Sequence, residues 1–280
     1  MKLKFWGVRG SVPAPGKDTV KYGGNTSCVD LRSDTGELFI LDAGTGIRKL
    51  GNNLMAEDNP LKLNILLSHV HWDHIEGLPF FKPLYFKRYH IDIIGCFDNK
   101  RRVKDVINFA LHQPYFPVSL GDLKSEIEYK DITENSFNMG GLHIDVLPVN
   151  HPAYTVAYRF SEGQKKVIYM TDNELFCQNN VSTPYEKIVE FCTEADVLIH
   201  DAMYTTDEWN TYKGWGHSSI SNALQLGIDA RVQGLFLFHH DPERTDKEET
   251  QIIKECHVQI KKAKSKVRCE GAMEGSEIII

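Results

Sequence analysis

Four side chains of metal-binding types occur within six consecutive positions of the 280-residue chain. His69, His71, Asp73 and His74 follow directly after the apolar segment Leu63–Ser68. A strand fixes the backbone, so the loop that leaves its end can direct several side chains into one cavity. We expect His69 and His71, two positions apart, to face one side, and Asp73 and His74 to face a second ion further along the turn. Imidazole and carboxylate groups suit zinc, and also iron, manganese or cobalt. The alternative is a solvated loop that is merely rich in histidine.

The elements that must position this run alternate between strands and helices. Apolar patterns predict strands at Lys2–Val8, Cys28–Arg32, Glu37–Leu41, Leu63–Leu67, Ile91–Ile94, Leu142–Val149, Thr155–Phe160, Lys166–Met170, Val197–Ile199 and Gly234–Phe238. Helical spacing predicts helices at Ile47–Met55, Lys100–His112, Pro184–Phe191, Ser218–Leu226 and Glu248–Lys262. The order repeats once along the chain. This predicts an α/β fold with two mixed sheets stacked face to face and helices outside, a four-layer αββα sandwich.

The pattern favours a single domain over residues 1–280, in which residues 113–138 form a lid or a pocket insertion. Hydrophobic residues make up 41% and charged residues 25% of the chain, as in ordinary globular proteins. The formal net charge of −6 argues against a protein that coats nucleic acid through bulk charge. No stretch approaches the roughly 20 apolar residues of a membrane span. The scattered cysteines and the absence of a signal-like start predict reduced thiols and a cytoplasmic location; the cysteines are Cys28, Cys96, Cys177, Cys192, Cys256 and Cys269.

The histidine run matches the HxHxDH motif of the metallo-β-lactamase superfamily, which the chain resembles over nearly its whole length. The resemblance implies the αββα fold and a hydrolase with two divalent metal ions, zinc or alternatively manganese or iron. It implies one ion on His69, His71 and His151, a second on Asp73, His74 and His239, Asp172 between the ions, and Asp42 as a buried support of the metal loop. A lone histidine after a strand is more often structural, and His240 competes with His239 for the last position. An aspartate between the ions, where a cysteine could stand, favours phosphoester or ester hydrolysis by a metal-bridging hydroxide.

Two further segments are similar to ribonuclease Z, a phosphodiesterase of the same superfamily. They are Ala195–Ala202 and Gly216–Ser219. The resemblance implies that Asp201 orients His217 and that His217 stabilises or protonates the reacting phosphate. In the alternative interpretation, Gly216–Ser219 is only a helix start that a serine caps. Both interpretations can hold together.

The opening segments Phe5–Ser11 and Tyr22–Cys28 resemble a bacterial subgroup of small phosphodiesterases. This subgroup acts on cyclic phosphates and is similar to the anti-Pycsar enzymes that degrade cyclic nucleotides. The resemblance implies a small cyclic phosphodiester as the substrate, most simply a cyclic nucleotide, and a homodimer. Substrate contacts are expected from Arg9, Asn25 and His240, and Tyr115 and Phe116 are either base-stacking groups or core and dimer contacts.

Two other functions stay open at this point. One is a ribonuclease Z-like tRNA 3′-processing endonuclease with RNA as its partner. Asp201 in place of the usual glutamate, and the lack of a clear glycine-rich and basic arm, count against it. The other is a member without catalytic activity that binds metal structurally, which the full set of predicted ligands disfavours.

Overall fold

Two seven-stranded mixed sheets form the centre of the fold. The computed structural model describes residues 1–57, 62–95, 102–112, 116–176 and 183–280. The first sheet has the order β14 (Glu277–Ile279), β1 (Lys2–Gly7), β2 (Cys28–Arg32), β3 (Leu38–Leu41), β4 (Lys62–Leu67), β5 (His90–Gly95) and β6 (Glu126–Asp131). The second has the order β13 (Arg268–Gly271), β12 (Gly234–Phe238), β11 (Val197–Asp201), β10 (Lys165–Met170), β9 (Val156–Glu162), β8 (Leu142–Pro148) and β7 (Ser136–Met139).

Both sheets combine antiparallel and parallel pairing in the same way. In the first, β14 through β3 pair antiparallel and β3 through β6 pair parallel. In the second, β7 through β10 pair antiparallel and β10 through β13 pair parallel. The carboxyl ends of neighbouring parallel strands lie at one edge of a sheet, and polar side chains that follow those strands therefore converge there.

Helices and 3₁₀ turns connect the strands in the described part of the chain. They are α1 (Ile47–Met55), α2 (Trp72–Ile75), α3 (Val103–Ala110), α4 (Tyr185–Cys192), α5 (Thr206–Tyr212), α6 (Ile220–Asp229) and α7 (Asp246–Lys262), with 3₁₀ turns at Leu78–Phe80, Lys82–Tyr85 and Leu120–Asp122. One apolar core lies between the sheets, one between the first sheet and α1 and α3, and one between the second sheet and α4, α6 and α7. This arrangement confirms the predicted four-layer αββα sandwich. Within the described ranges, no helix combines the length and the apolar character that a membrane crossing requires.

The segment 113–138, predicted as a lid or a pocket insertion, is described in part. Residues 113–115, and with them Tyr115, lie outside the described residues. The rest of the segment contributes a 3₁₀ turn and the strands β6 and β7, which lie at the edges of the two sheets. Charged residues alternate with the half-buried Ile127 and Tyr129 in β6, which is typical of an edge strand with one polar face. The described part of the segment therefore contributes to both sheets, and its role as a lid or a pocket insertion stays a prediction. Phe116 packs edge-on against Phe80, with ring centroids 5.5 Å apart, so its contact is a core contact.

Candidate metal centre

Seven predicted ligands converge where strands of both sheets end. His69, His71, Asp73 and His74 follow β4, while His151, Asp172 and His239 follow β8, β10 and β12. Two of these residues have left-handed backbones, Asp172 with φ 47° and His239 with φ 61°, and so does Asp42, which follows β3, with φ 60°. Non-glycine residues rarely adopt this conformation, and where they do they are concentrated at functional sites. Backbone strain at three strand ends thus coincides with the cluster.

The first group consists of His69, His71, His151 and Asp172, whose ligand atoms all lie within 4.8 Å of one another. His71 Nδ1 is 3.1 Å from His151 Nε2. Asp172 Oδ2 is 3.6 Å from His69 Nε2 and 3.8 Å from His151 Nε2. Two nitrogens that bind one tetrahedral ion at 2.0–2.1 Å are about 3.3 Å apart. The spacing in this group therefore matches ligands that share a single ion.

The second group consists of Asp73, His74, Asp172 and His239. His74 Nε2 is 3.2 Å from both Asp73 Oδ2 and Asp172 Oδ1. His239 Nε2 is 3.0 Å from Asp73 Oδ2 and 3.2 Å from Asp172 Oδ1. Asp172 thus presents Oδ2 to the first group and Oδ1 to the second, which is the geometry that a bridging carboxylate needs.

Asp42 holds the metal loop from behind. Its carboxylate accepts hydrogen bonds from the Ser68 backbone N–H, the Ser68 hydroxyl, His74 Nδ1–H and the Tyr169 hydroxyl, each at 2.7 Å. Because Nδ1 of His74 carries the donated proton, its Nε2 is left to face the cluster. Such outer partners fix the ring and tautomer of a ligating histidine.

Another outer partner supports the first group. His151 Nδ1–H donates to the Gly216 carbonyl at 3.0 Å, and Gly216 lies so close that a Cβ there would overlap His151 Nδ1. Glu174 in turn fixes this loop, because its buried carboxylate accepts the N–H groups of Gly214 and Gly216. The loop 214–216 is thus held against the ring of His151.

The carboxylates and neutral imidazoles of the cluster are suited to binding cations. Burial lowers the pKa of His69 well below its ordinary value and that of His151 to about 4, so both rings are neutral and ready to bind a metal. Burial also acts to lower the pKa of His74, but Asp73, Asp172 and Asp42 raise it well above its ordinary value. A proton on His74 thus balances carboxylates that an ion would otherwise neutralise. Among the described residues, the buried Nε2 atoms of His69 and His74 have no hydrogen-bond partner. The donor set therefore fits two divalent ions.

Asp201 and His217 lie beside this cluster. His217 Nδ1–H donates to Asp201 Oδ2 at 2.7 Å, and the His217 ring stacks on His239 at 4.9 Å between centroids. Burial acts to lower the pKa of His217, but the carboxylates of Asp201, Asp172 and Asp73 outweigh burial. The net result is a pKa above the ordinary value, at about 9. Ser219 also caps α6 by accepting the Asn222 N–H, so the segment is both a helix start and part of the cluster.

The structure does not bring Arg9 into the cluster. Arg9 is fully buried, and its guanidinium donates from Nε to the Gly23 carbonyl and from Nη1 to the carbonyls of Asp241 and Arg244, all at 2.8 Å. The glycine-rich loop is thus packed beneath the site instead of lying open to a substrate. Arg9 therefore makes structural hydrogen bonds, and its role as a substrate contact stays a prediction.

Asn25 and His240 are also committed to other partners. Asn25 donates from its backbone N–H and its side-chain amide to Glu274. His240 donates from Nε2 to the Ala272 carbonyl at 2.9 Å, and its Nδ1 lies 3.3 Å from Glu249 Oε1. Successive residues after β12 point in opposite directions, so His239 faces the cluster and His240 faces away. Both residues thus have protein partners, and their roles as substrate contacts stay predictions.

Three contributors were not predicted from the sequence: Glu174, described above, the segment Gly10–Ser11, and Tyr169. The backbone N–H of Ser11 donates to Asp73 Oδ2 at 2.8 Å, and a Cβ on Gly10 would overlap the His239 ring. The segment Gly10–Ser11 therefore closes one side of the second group. Tyr169 lies in a strand that the apolar pattern predicts, and the pattern does not indicate its role. A buried tyrosine hydroxyl needs a hydrogen-bond partner, and this requirement indicates a polar group nearby.

The model of the beta-lactamase superfamily domain matches residues 38–240. The chain is similar to a ribonuclease Z of Methanococcus maripaludis, with 27% identity over 284 aligned residues that cover 85% of this chain and 86% of that protein.

Among solved structures, the fold is similar to the metallo-beta-lactamase fold protein YhfI from Bacillus subtilis. The TM-score is 0.69 at 19% identity, and the alignment covers 99% of this chain and 98% of YhfI. A diphosphatase from the PhnP family gives a TM-score of 0.67 at 17% identity, with 100% of this chain and 97% of that chain covered. Identities this low establish the fold alone, and the fold is the one that the HxHxDH motif predicted.

Proposed function

We propose that this chain, which belongs to the beta-lactamase superfamily of hydrolases, is a metal-dependent phosphodiesterase whose substrate is a small cyclic phosphodiester, namely a cyclic nucleotide. The Asp201–His217 pair beside the two ligand groups is the observation that carries this proposal. Asp201 holds the Nδ1–H of His217, so Nε2 is free to contact a phosphoryl or leaving oxygen. A phosphate gains negative charge as it reacts, and a histidine held by a carboxylate can stabilise that charge and supply a proton.

The seven ligands have distinct places in this proposal. His69, His71 and His151 would hold one ion, Asp73, His74 and His239 the other, and Asp172 both. Two divalent ions activate water and neutralise charge on the phosphoryl oxygens. The histidine-rich donor set favours zinc, with manganese or iron as the alternatives. Ser11 and Asp42 keep Asp73 and His74 in place through hydrogen bonds.

The net charge of −6 favours a small substrate over a nucleic acid. The two most basic segments are Lys100–Lys104, which begins among residues outside the described ranges, and Lys261–Arg268. Lys266 and Arg268 of the second segment line, with Arg231, a groove at the amino ends of β12 and β13, whereas the ligands follow the carboxyl end of β12. The five residues of β12 separate the two places by about 17 Å. A nucleic acid bound in that groove would therefore not be presented directly to the cluster.

A ribonuclease Z-like tRNA 3′-processing endonuclease is the second candidate. The similarity to the ribonuclease Z of Methanococcus maripaludis over 85% of this chain favours it. The net charge of −6 disfavours it. This candidate predicts RNA binding that weakens steeply with salt, because each phosphate contact releases counterions.

The test uses zinc- and manganese-loaded protein. We expect hydrolysis of bis(p-nitrophenyl) phosphate and of at least one member of a panel of 2′,3′- and 3′,5′-cyclic nucleotides. His217→Gln should lower kcat by about 10²–10⁴-fold while two metals per chain are retained, since proton transfer by a positioned side chain contributes about this much. His143→Gln is the matched control, because His143 lies exposed on β8 with Asn138 and Asp145 as its partners.

Three outcomes separate the candidates. A fully loaded protein that cleaves no phosphodiester would refute the phosphodiesterase proposal. Salt-sensitive cleavage of 3′-extended precursor tRNA, without turnover of any cyclic nucleotide, would establish the second candidate. Equal losses in His217→Gln and His143→Gln would remove His217 from the reaction.

We also propose a homodimer, on the resemblance to the small phosphodiesterases. Size-exclusion chromatography with light scattering should then give a molar mass of twice the chain mass of 31.9 kDa. A mass equal to one chain would contradict this part of the proposal.

A further inference from the structure

One buried amide side chain connects the segments that carry several of the proposed ligands with the Asp201–His217 pair (the acid pair). It belongs to Asn173, which directly follows Asp172 and is fully buried. We infer that Asn173 is a positioning residue, which holds His151 on one side of Asp172 and the acid pair on the other. The inference rests on the proposed phosphodiesterase function and adds to it a residue that sets the geometry of the reaction without contacting the substrate.

The oxygen of the Asn173 amide fixes the backbone just before His151. Asn173 Oδ1 accepts the Asn150 N–H at 3.0 Å, and the Glu174 N–H donates to the Asn150 carbonyl at 2.7 Å. Both backbone groups of Asn150 are therefore held by the two residues that follow Asp172. Asn150 follows β8 and Asp172 follows β10, and β9 lies between these strands in the sheet. Because β8 and β10 do not pair directly, these two bonds help to set the place of His151 relative to Asp172.

The nitrogen of the same amide fixes the end of β11. Asn173 Nδ2 donates to His200 Nε2 at 3.1 Å and to the Met170 sulfur at 3.4 Å. His200 is also fully buried, and its Nδ1–H donates to the Asp201 carbonyl at 2.6 Å. Burial lowers the pKa of His200, so its ring is neutral and Nε2 accepts a hydrogen bond. An amide matches both partners, because it offers an acceptor to the Asn150 N–H and a donor to the imidazole.

The backbone of the same segment holds the acid pair at a second point. Ser218, which directly follows His217, donates its hydroxyl hydrogen to the Asn173 carbonyl at 2.6 Å. The same hydroxyl oxygen accepts the Leu175 N–H at 3.0 Å, and all three bonded residues are fully buried. Asn173 is therefore connected to both members of the acid pair, to one through His200 and to the other through Ser218.

These connections are important because the proposed reaction needs His217 and the ligands at matched distances. A displacement of about 1 Å can lower a rate about 10²-fold, and loss of an outer partner of a metal ligand lowers affinity or activity about 10–100-fold. Removal of the Asn173 amide would leave the Asn150 N–H and His200 Nε2 without this partner. Unpaired buried polar groups are costly, so we expect both segments to shift until these groups find other partners.

The experiment compares three variants of the full chain. Asn173→Leu removes both bonds of the amide at similar volume, His200→Leu removes only the bond to β11, and His200→Gln keeps an acceptor for the amide. Asn173→Leu should lower the affinity for one metal at least tenfold, measured against a chromophoric chelator, and kcat for bis(p-nitrophenyl) phosphate about 10–100-fold. The KM should stay close to its wild-type value, because the buried amide does not contact the substrate.

The two changes at His200 separate the connection to the acid pair from the connection to His151. His200→Leu should lower kcat about tenfold and leave the metal affinity unchanged. His200→Gln should recover most of the lost kcat, because its amide oxygen can take the place of Nε2. Asn173→Ala repeats each measurement with a smaller side chain, so the test remains valid if leucine at position 173 prevents folding.

Asn64→Leu is the matched control. Asn64 is fully buried in β4, and its amide donates to the Leu38 carbonyl at 3.0 Å and to Glu37 at 3.2 Å. It should lower the Tm without changing kcat or the metal affinity. Cobalt-loaded protein gives a measurement that is independent of turnover, since the visible absorption of Co²⁺ depends on the geometry of its ligands. That spectrum should change in Asn173→Leu and not in Asn64→Leu.

The outcomes keep this inference apart from the proposed function. If bis(p-nitrophenyl) phosphate is cleaved and the changes at Asn173 alter kcat, metal affinity and the cobalt spectrum no more than Asn64→Leu does, the positioning role is overturned while the phosphodiesterase stands. If no phosphodiester is cleaved but Asn173→Leu still weakens one metal and alters the cobalt spectrum, the function fails and the positioning of the ligands stands. Equal kcat in His200→Leu and His200→Gln would overturn the connection to the acid pair.

Discussion

Removing the hydroxyl of Tyr169 tests whether Asp42 is the support of the metal loop. This hydroxyl donates to Asp42 Oδ2 at 2.7 Å, and both residues are fully buried. Burial raises the pKa of the phenol well above its ordinary value, so it remains a donor at every working pH. A hydrogen bond to a charged group contributes about 1.5–3 kcal/mol. Tyr169→Phe changes no other atom and should lower the free energy of unfolding by about that amount.

The loss should appear in two separate measurements. In protein treated with a chelator, the Tm should fall by about 3–12 °C, since about 1 kcal/mol shifts the Tm of a chain of this size by roughly 2–4 °C. The affinity for one metal should fall about tenfold, the low end for an outer partner, because Asp42 keeps three other donors to hold His74. Competition with a chromophoric chelator measures that affinity.

Tyr158→Phe provides the comparison on the neighbouring strand. Tyr158 is equally buried, and its hydroxyl donates at 2.7 Å to the Leu67 carbonyl, which is neutral. We expect a loss of about 1 kcal/mol and an unchanged metal affinity. If the two variants lose the same stability and neither changes metal binding, the reasoning about Asp42 is refuted.

Two other changes have definite outcomes. Gly216→Ala should weaken binding of one metal at least tenfold, because φ is +91° and the new Cβ would displace His151; Gly163→Ala, also at positive φ but with open space around it, should leave metal titrations unchanged. Asp30→Asn should stabilise the protein at pH 7, because burial raises the pKa of Asp30 and an amide oxygen can still accept the Trp6 indole N–H. The wild-type protein loses stability as the pH rises from the pKa of Asp30 in the unfolded state, about 3.9, through its raised pKa in the folded state. Denaturant titrations should therefore show a stability difference between variant and wild type at pH 7 and not at pH 3. A stability difference that does not depend on pH would exclude this cause.

The sequence predicted the strands around the metal loop because each is a compact apolar run that ends at a polar residue. It did not reveal α5, Thr206–Tyr212, in which no residue is buried. That helix begins at a capping box between Thr205 and Glu208, so local hydrogen bonds, and not an apolar stripe, fix its start. Strand β14 was missed for another reason. It is three residues long and pairs with β1 from the opposite end of the chain, and no local pattern encodes that partner.

The predicted metal ligands depend on local sequence more than the predicted substrate contacts do. Each ligand belongs to the HxHxDH motif or follows directly after an apolar strand. The environment of Arg9 depends on the carbonyls of Asp241 and Arg244, more than 200 residues away. The local sequence of a glycine-rich loop with an arginine is the same whether the loop is open to a ligand or packed under the site. Only the packing of distant segments decides between these states.

The proposed ligands come from both sheets: the metal loop belongs to the first, and His151, Asp172 and His239 to the second. An ion held by this set would cross-link the two halves of the molecule, so that its binding energy also opposes their separation. At a free metal concentration a thousandfold above Kd, such linkage adds about 4 kcal/mol to the stability of the folded state. Metal supply would then set how long the protein survives proteolysis, in addition to how fast it turns over its substrate.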